Sequence, residues 1–319
     1  MLTHSEYLGI IEQNLKDISY PSHPAGLYEP IAYILDGGGK RLRPVLTLAV
    51  CDALCGDSSK AVSQAMAVEM FHNFTLLHDD VMDRADMRRG RPTVHVRWDD
   101  RTAILSGDAM LTLSHVYSMR GCSAEQMCQV GRLLDRTAME VYEGQQYDMD
   151  FESRNDVTVS DYLEMIRLKT SVLLGCACRL GAIMADASEE VAQAMYGYGE
   201  KLGLAFQLQD DYLDTYGDPI VFGKEIGGDI VNDKKTWLLI TAMNEDTSGV
   251  LAREMDAPSE NKIERVREVY DRLELDVRCH RLIDRYVDEA KAELAKADLT
   301  PAAREFFEAL AENSRTRSH

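Results

Sequence analysis

Apolar residues recur every three or four positions along most of this chain, as in Leu133, Leu134, Ala138 and Val141, and again in Leu163, Ile166, Leu173 and Leu174. That spacing lines one face of an α-helix, whereas a half-buried strand needs alternation at every second residue. No proline falls between Pro92 and Pro219, and the interval is rich in Ala, Leu, Met, Glu, Gln and Arg, which lose little freedom in a helix. Strand-type alternation and Asn-Gly hairpin signals are absent. The pattern predicts an all-α protein of about ten or more helices. No low-complexity linker divides it, so residues 1–319 are expected to form a single domain. The stretch AMNEDTSGVLAREMDAPSENK reads as a surface connection ahead of the C-terminal helices.

Two of the apolar runs end in the same acidic pattern. FHNFTLLHDDVMD carries Asp79, Asp80 and Asp83, and AFQLQDDYLD carries Asp210, Asp211 and Asp214. Residues i and i+4 share a helical face, so Asp79 stacks on Asp83 and Asp210 on Asp214, a like-charge spacing that weakens a bare helix. One such motif reads equally well as a solvated acidic face. Two copies, each behind Phe/Leu-rich sequence, point instead to carboxylates held for a cation. Oxygen-only ligands suit magnesium, which keeps waters and bridges to substrate phosphates.

Basic residues gather beside these motifs. GGGKRLRP brings Lys40, Arg41 and Arg43 to a glycine run, MRRGRPTVH supplies Arg88, Arg89 and Arg91, and FGKEIGGDIVNDKKTW supplies Lys224, Lys234 and Lys235. Glycine lets backbone approach an anion, and arginine offers forked donors to phosphate oxygens. The chain as a whole has 35 Lys+Arg against 54 Asp+Glu, a net charge of −19. That balance argues against nucleic acid as the main partner, which needs a broad basic face, but leaves room for small anions held by local cations.

Other residues carry weaker signals. His72 lies on the face of Asp79, Gln207 on that of Asp210, and Lys169 with Thr170 sits in the apolar run IRLKTSVLLGCA. A lone histidine in such a place is more often structural, and a lysine there either snorkels or meets an anion. Seven cysteines form no paired framework, and the amphipathic N-terminal stretch has no features of a secretion signal. A cytoplasmic, reducing location is expected. No eighteen apolar residues run together, so no membrane span is expected.

In their order and content these motifs resemble those of the trans-isoprenyl diphosphate synthases of the polyprenyl synthetase family, of the short-chain type. The resemblance runs from PAGLYEPIAYILDGGGKRLRP to DIVNDKKTW. It implies a single orthogonal helical bundle around a deep central cavity, usually a homodimer, with the two acidic motifs facing each other at the cavity mouth. It also implies a magnesium-dependent prenyltransferase joining isopentenyl diphosphate head-to-tail to an allylic diphosphate, by ionisation, condensation and elimination. Lys40, Arg43, His72 and Arg89 match the isopentenyl diphosphate site. Asp79, Asp83, Asp210 and Asp214 match the ligands of about three magnesium ions, a hard-cation oxygen set, with Asp80 and Asp211 in support. Arg88, Lys169, Lys224 and Lys234 match contacts to the allylic diphosphate. Lys169, Thr170 and Gln207 would set carbonyl or hydroxyl dipoles near the developing cation.

Product length in this family follows the residues about one or two turns before the first acidic motif, here Phe71, Phe74 and Thr75. One aromatic beside a threonine resembles an enzyme making farnesyl or geranylgeranyl diphosphate. A longer-chain synthase is the nearest alternative. A terpene cyclase would carry a different second motif and would not need GGGKRLRP, and a non-catalytic partner subunit would tend to lack one acidic motif.

Overall fold

The computed structural model describes residues 1–217 and 226–316. Lys224, expected to meet an allylic diphosphate, lies outside the described residues. The chain is all-α, as its apolar spacing predicts, and divides into two compact units: Met1–Asp135 with Cys176–Gln193, and Arg136–Gly175 with Ala194–His319. Among the described residues, no helix is long and apolar enough to cross a membrane.

The first unit holds α1 (His4–Lys16), α2 (Ala25–Leu35), α3 (Leu42–Cys55), α4 (Val62–Met82), α5 (Val94–Arg97) and α6 (Asp100–Ser118), with segments of α7 (Ala124–Ser153), α9 (Val172–Met184) and α10 (Glu189–Tyr216). Its centre is α4. Ala65, Met66, Ala67, Val68, Met70 and Phe71 are buried in succession, so the helix is covered on every side, with α3 and α6 among its neighbours. Buried polar groups fix its pairing with α6: Ser114 donates to the Ala67 carbonyl at 2.8 Å, and Gln64 Nε2 to the Ser118 carbonyl at 2.9 Å. Such bonds in an apolar interior specify one packing.

One element departs from the expectation of a chain free of hairpins. Met87–Arg88 pairs antiparallel with Arg91–Pro92 around a turn at Arg89 (φ 51°) and Gly90 (φ 72°). Two successive positive φ values make the primed turn that two-residue hairpins favour. Asn-Gly is its usual signal. With Arg-Gly at the turn and two-residue strands, neither turn chemistry nor alternation announces it. The stretch after Glu245 is likewise more than a connection, since it contains a short helix from Val250 to Asp256 with Leu251 buried.

The second unit holds the rest of α7, α9 and α10, together with α8 (Val159–Ile166), α11 (Gly228–Val231), α12 (Trp237–Glu245), α13 (Val250–Asp256), α14 (Lys262–Arg272), α15 (Leu275–Leu294) and α16 (Pro301–Thr316). Between α8 and α9, Arg167–Ser171 form one π-helical turn. Two glycines make room for it. A Cβ on Gly144 of α7 would stand 2.3 Å from the Lys169 amide nitrogen, and one on Gly203 of α10 would stand 2.6 Å from the Ser171 Cα. Both contacts are with backbone, so the turn exists where two helices can approach it without side chains. π-turns commonly mark functional positions, and this one carries Lys169 and Thr170.

Candidate active site

In the first unit the acidic motif occupies the C-terminal end of α4. Asp83 caps the helix with near-helical dihedrals, and its N–H reaches the Asp79 carbonyl at 2.8 Å, so Asp79 and Asp83 keep the i, i+4 relation expected. Asp80 turns inward. It is 3% exposed and accepts from Arg88 Nε at 2.8 Å, while Arg88 Nη2 lies 3.6 Å from Asp79. Burial raises the Asp80 carboxyl and Arg88 opposes the rise. Asp80 thereby anchors the arginine and leaves Asp79 at the helix end.

The hairpin carrying Arg88 and Arg89 is fastened to α2. Arg91 and Arg97 place their guanidiniums 4.0 and 4.3 Å from the centre of the Tyr33 ring, and the Tyr33 hydroxyl donates to the Pro92 carbonyl at 2.8 Å. Arg89 lies across the glycine run and donates to the Gly38 carbonyl. Gly39 has φ 129°, and a Cβ there would meet the Arg89 guanidinium at 2.9 Å, so only glycine fits. Arg43 and His72 meet on neighbouring helices, with Arg43 Nη1 3.3 Å from His72 Nε2. The guanidinium can only donate, so Nε2 accepts and the imidazole is neutral. Burial, then Arg43 and Arg89, hold His72 well below its ordinary pKa.

Arg41, grouped with these cations in the sequence, is not available to an anion. It sits in the left-handed region (φ 46°), is buried, and spends its donors on Glu12 at 2.9 Å, Glu69 at 2.6 Å and the Leu35 carbonyl at 2.5 Å. Exposed Lys40 and half-buried Arg43 remain on either side. Two turns before the acidic end, Phe71 and Phe74 are buried edge to face at 5.6 Å, and Phe74 meets His78 at 4.8 Å. Thr75 donates its hydroxyl to the His72 carbonyl at 2.8 Å.

The second unit repeats the scheme on α10. Asp210 is half-buried, and Asp214 accepts from the Asp229 N–H at 2.8 Å, which ties α10 to α11. Asp211 faces the interior, 4% exposed, and accepts from Tyr162 and from Gln207 Nε2 at 3.0 Å. Burial pushes its carboxyl up to about 7 against the pull of Lys234. Lys234 stands 3.4 Å from Asp229. Burial would lower its pKa, but Asp211, Asp229 and Asp148 outweigh it and raise the ammonium above its ordinary value. Lys169 reaches Asp148 of α7 at 2.6 Å, and Thr170 donates to Gln207 Oε1 at 3.1 Å.

Within each unit, then, the expected residues do come together: Arg43 with His72 and Arg88 with Asp79, and Thr170 with Gln207. Asp148, Asp229 and Tyr162 belong to the second cluster and were not anticipated. Tyr162 precedes Lys169 by seven residues, two helical turns, and so shares a face with a residue the sequence singles out, whereas Asp148 and Asp229 carry no such local signal. Asp79 and Asp83 in the first unit, and Asp210 and Asp214 in the second, are carboxylates in the last two turns of their helices, a side-chain chemistry that fits a hard divalent cation retaining waters. Among the described residues no three ligand-type side chains close into a cage, and magnesium does not require one.

Comparison with known proteins bears on the whole chain. The sequence profile of the polyprenyl synthetase family matches residues 24–273. A geranylgeranyl diphosphate synthase of Methanosarcina mazei is 38% identical over 274 residues, 86% of this chain and 84% of that protein. A geranylgeranyl pyrophosphate synthase of Geoglobus acetivorans is 37% identical over 316 residues, 97% of each. A crystal structure of a geranylgeranyl pyrophosphate synthase superposes with a TM-score of 0.93 at 41% identity, covering 100% of both chains.

Proposed function

The chain belongs to the polyprenyl synthetase family, and from that premise we propose that it condenses isopentenyl diphosphate with an allylic diphosphate to give a trans short-chain prenyl diphosphate. The observation that carries the reading is the doubled arrangement of a carboxylate pair at the end of an apolar helix with its own cations beside it, Arg88 at Asp79 and Lys234 near Asp211.

In this reading Asp79, Asp83, Asp210 and Asp214 would hold magnesium, which when bound would supply positive charge opposite the departing diphosphate. Arg88, aimed by Asp80, and Lys169, Lys224 and Lys234 hold the same diphosphate. Lys169 exchanges Asp148 for the anion when substrate arrives. Lys40, Arg43 and Arg89 grip isopentenyl diphosphate, with neutral His72 holding the Arg43 guanidinium in place. The allylic C–O bond breaks and the developing cation is met by oxygen dipoles at Lys169, Thr170 and Gln207. The double bond of isopentenyl diphosphate attacks, and a proton leaves to the released diphosphate. Phe71 and Phe74 keep the growing chain away from water. The protein acts in the cytoplasm as a homodimer, for which exposed Ile104, Leu105 and Val116 on α6 offer apolar surface.

The test is release of inorganic diphosphate with isopentenyl diphosphate and each of dimethylallyl, geranyl and farnesyl diphosphate. Release that requires both substrates is expected, and equal release from an allylic diphosphate alone would contradict the proposal. Phe74, 5% exposed against Phe71 and His78, is the proposed floor for the chain. Phe74→Ala is expected to shift products by one or more five-carbon units, read by mass spectrometry of the dephosphorylated alcohols. An unchanged distribution would place the floor elsewhere.

A further inference from the structure

Lys40 and Arg43, the first unit's cations in the basic run, stand on backbone of an unusual shape. Gly38 (φ 70°), Gly39 (φ 129°) and Arg41 (φ 46°) all lie in the left-handed region, with exposed Lys40 among them. A non-glycine residue keeps a positive φ only where its surroundings over-determine it. Here they act on the Arg41 side chain, which is wholly buried at the N-cap of α3. Its Nε donates to Glu12 at 2.9 Å, Nη1 to Glu69 at 2.6 Å and Nη2 to the Leu35 carbonyl at 2.5 Å. The three acceptors come from α1, from α4 and from the last residue of α2. Both carboxylates are held in turn. Asn73 Nδ2, one turn further along α4, donates to the same Glu69 oxygen at 2.8 Å. Helix α1 buries Tyr7, Ile11 and Leu15 and packs on α3 and α4. At its start the Tyr7 hydroxyl and the Leu2 N–H both donate to Asp52 of α3, at 2.5 and 3.1 Å. With Tyr7 at Asp52 and Glu12 at Arg41, α1 runs antiparallel to α3 in a fixed register that delivers Glu12 to the α3 N-terminus.

We propose that Arg41, pinned by Glu12 and Glu69, is a positioning residue that sets Lys40 and Arg43 for one diphosphate, and that Glu12 thereby acts on isopentenyl diphosphate binding from α1. The inference rests on the reading given under Proposed function, which assigns Lys40 and Arg43 to that substrate. The planar fork of a guanidinium reaches three separate acceptors at once, which the point charge of a lysine does not. Lys40 and Arg43 lie one and two residues from Arg41, so their place follows from where Arg41 is fixed. The sign of the effect separates positioning from plain electrostatics. Glu12 puts negative charge beside an anion site, so by Coulomb's law alone its removal favours the anion. Positioning predicts the opposite.

Steady-state kinetics of prenyl transfer, with each diphosphate varied in turn, test this on Glu12→Ala, Arg41→Lys and the pair. For Glu12→Ala, KM for isopentenyl diphosphate is expected to rise about tenfold, the size of one lost charge-assisted hydrogen bond. KM for the allylic diphosphate should stay within about twofold. Arg41→Lys should raise KM for isopentenyl diphosphate at least as much. Adding Glu12→Ala to it should change little, because Glu12 works through the guanidinium. An unchanged or lower KM for isopentenyl diphosphate in Glu12→Ala would overturn the proposal. So would an equal rise in both KM values, the mark of a packing defect. If Arg41→Lys reduces the folded fraction by circular dichroism, Glu12→Ala decides alone, since that side chain is 33% exposed and its loss opens no sealed core. A wild type that makes no prenyl diphosphate overturns the functional reading, and the proposal with it. An active wild type whose KM for isopentenyl diphosphate is unmoved by Glu12→Ala overturns the proposal alone.

Discussion

Asp79→Ala and Asp210→Ala are each expected to lower turnover about 10³-fold or more while leaving far-UV circular dichroism unchanged. The two carboxylates sit half-buried near helix ends, so truncating either removes no apolar packing. Stability is carried elsewhere in each motif. Asp80 and Asp211 are the buried members, tied to Arg88 and to Tyr162 with Gln207. Charge that stabilises a departing diphosphate acts in the transition state, so the loss should fall on kcat as well as kcat/KM. Turnover of wild-type size in either variant would remove the metal assignment at that motif.

Gly144→Ala is expected to be the most damaging single methyl in the second unit. Its Cβ would lie 2.3 Å from the Lys169 nitrogen, 2.7 Å from the Lys169 Cα and 2.8 Å from the Leu168 carbonyl carbon. None of these atoms ends a flexible side chain, so α7 or the π-helical turn must move. Overpacking against backbone costs about 3 kcal/mol, which lowers Tm by roughly 4–5 °C in a chain of 319 residues. The displacement also carries Lys169 away from Asp148 and Thr170 away from Gln207, so activity should fall further than the unfolded fraction explains. Calorimetry with a parallel activity measurement checks both. A variant that keeps wild-type Tm and kcat would show that the close approach has no consequence.

The residues that could be found in the sequence were those whose chemistry depends on local spacing. The acidic pairs at i and i+4 follow from helical geometry alone, and the apolar runs ahead of them are covered in the structure as expected. Arg41 and Arg43 could not be told apart in this way. The two lie two positions apart in the same basic run, yet Arg41 turns inward because Glu12 and Glu69, both distant in sequence, converge on it. The hairpin at Arg89-Gly90 lacks any apolar alternation, so in sequence its residues read only as a basic patch. The π-helical turn has no local signature either. It depends on Gly144 and Gly203 arriving from separate helices, and a glycine inside a helical pattern reads only as a mild penalty. Tyr162 and Asp148 were missed for a related reason: an aromatic or a carboxylate on a helix acquires a role only when tertiary packing supplies its partner.

The most direct test of the central claim is the identity of the product made from isopentenyl diphosphate and farnesyl or geranyl diphosphate with magnesium. Mass spectrometry and chromatography of the dephosphorylated material should show a linear all-trans alcohol, longer than the primer by whole five-carbon units, and none when magnesium is chelated. Cyclised hydrocarbons, or a folded protein that leaves both diphosphates intact, would contradict the account.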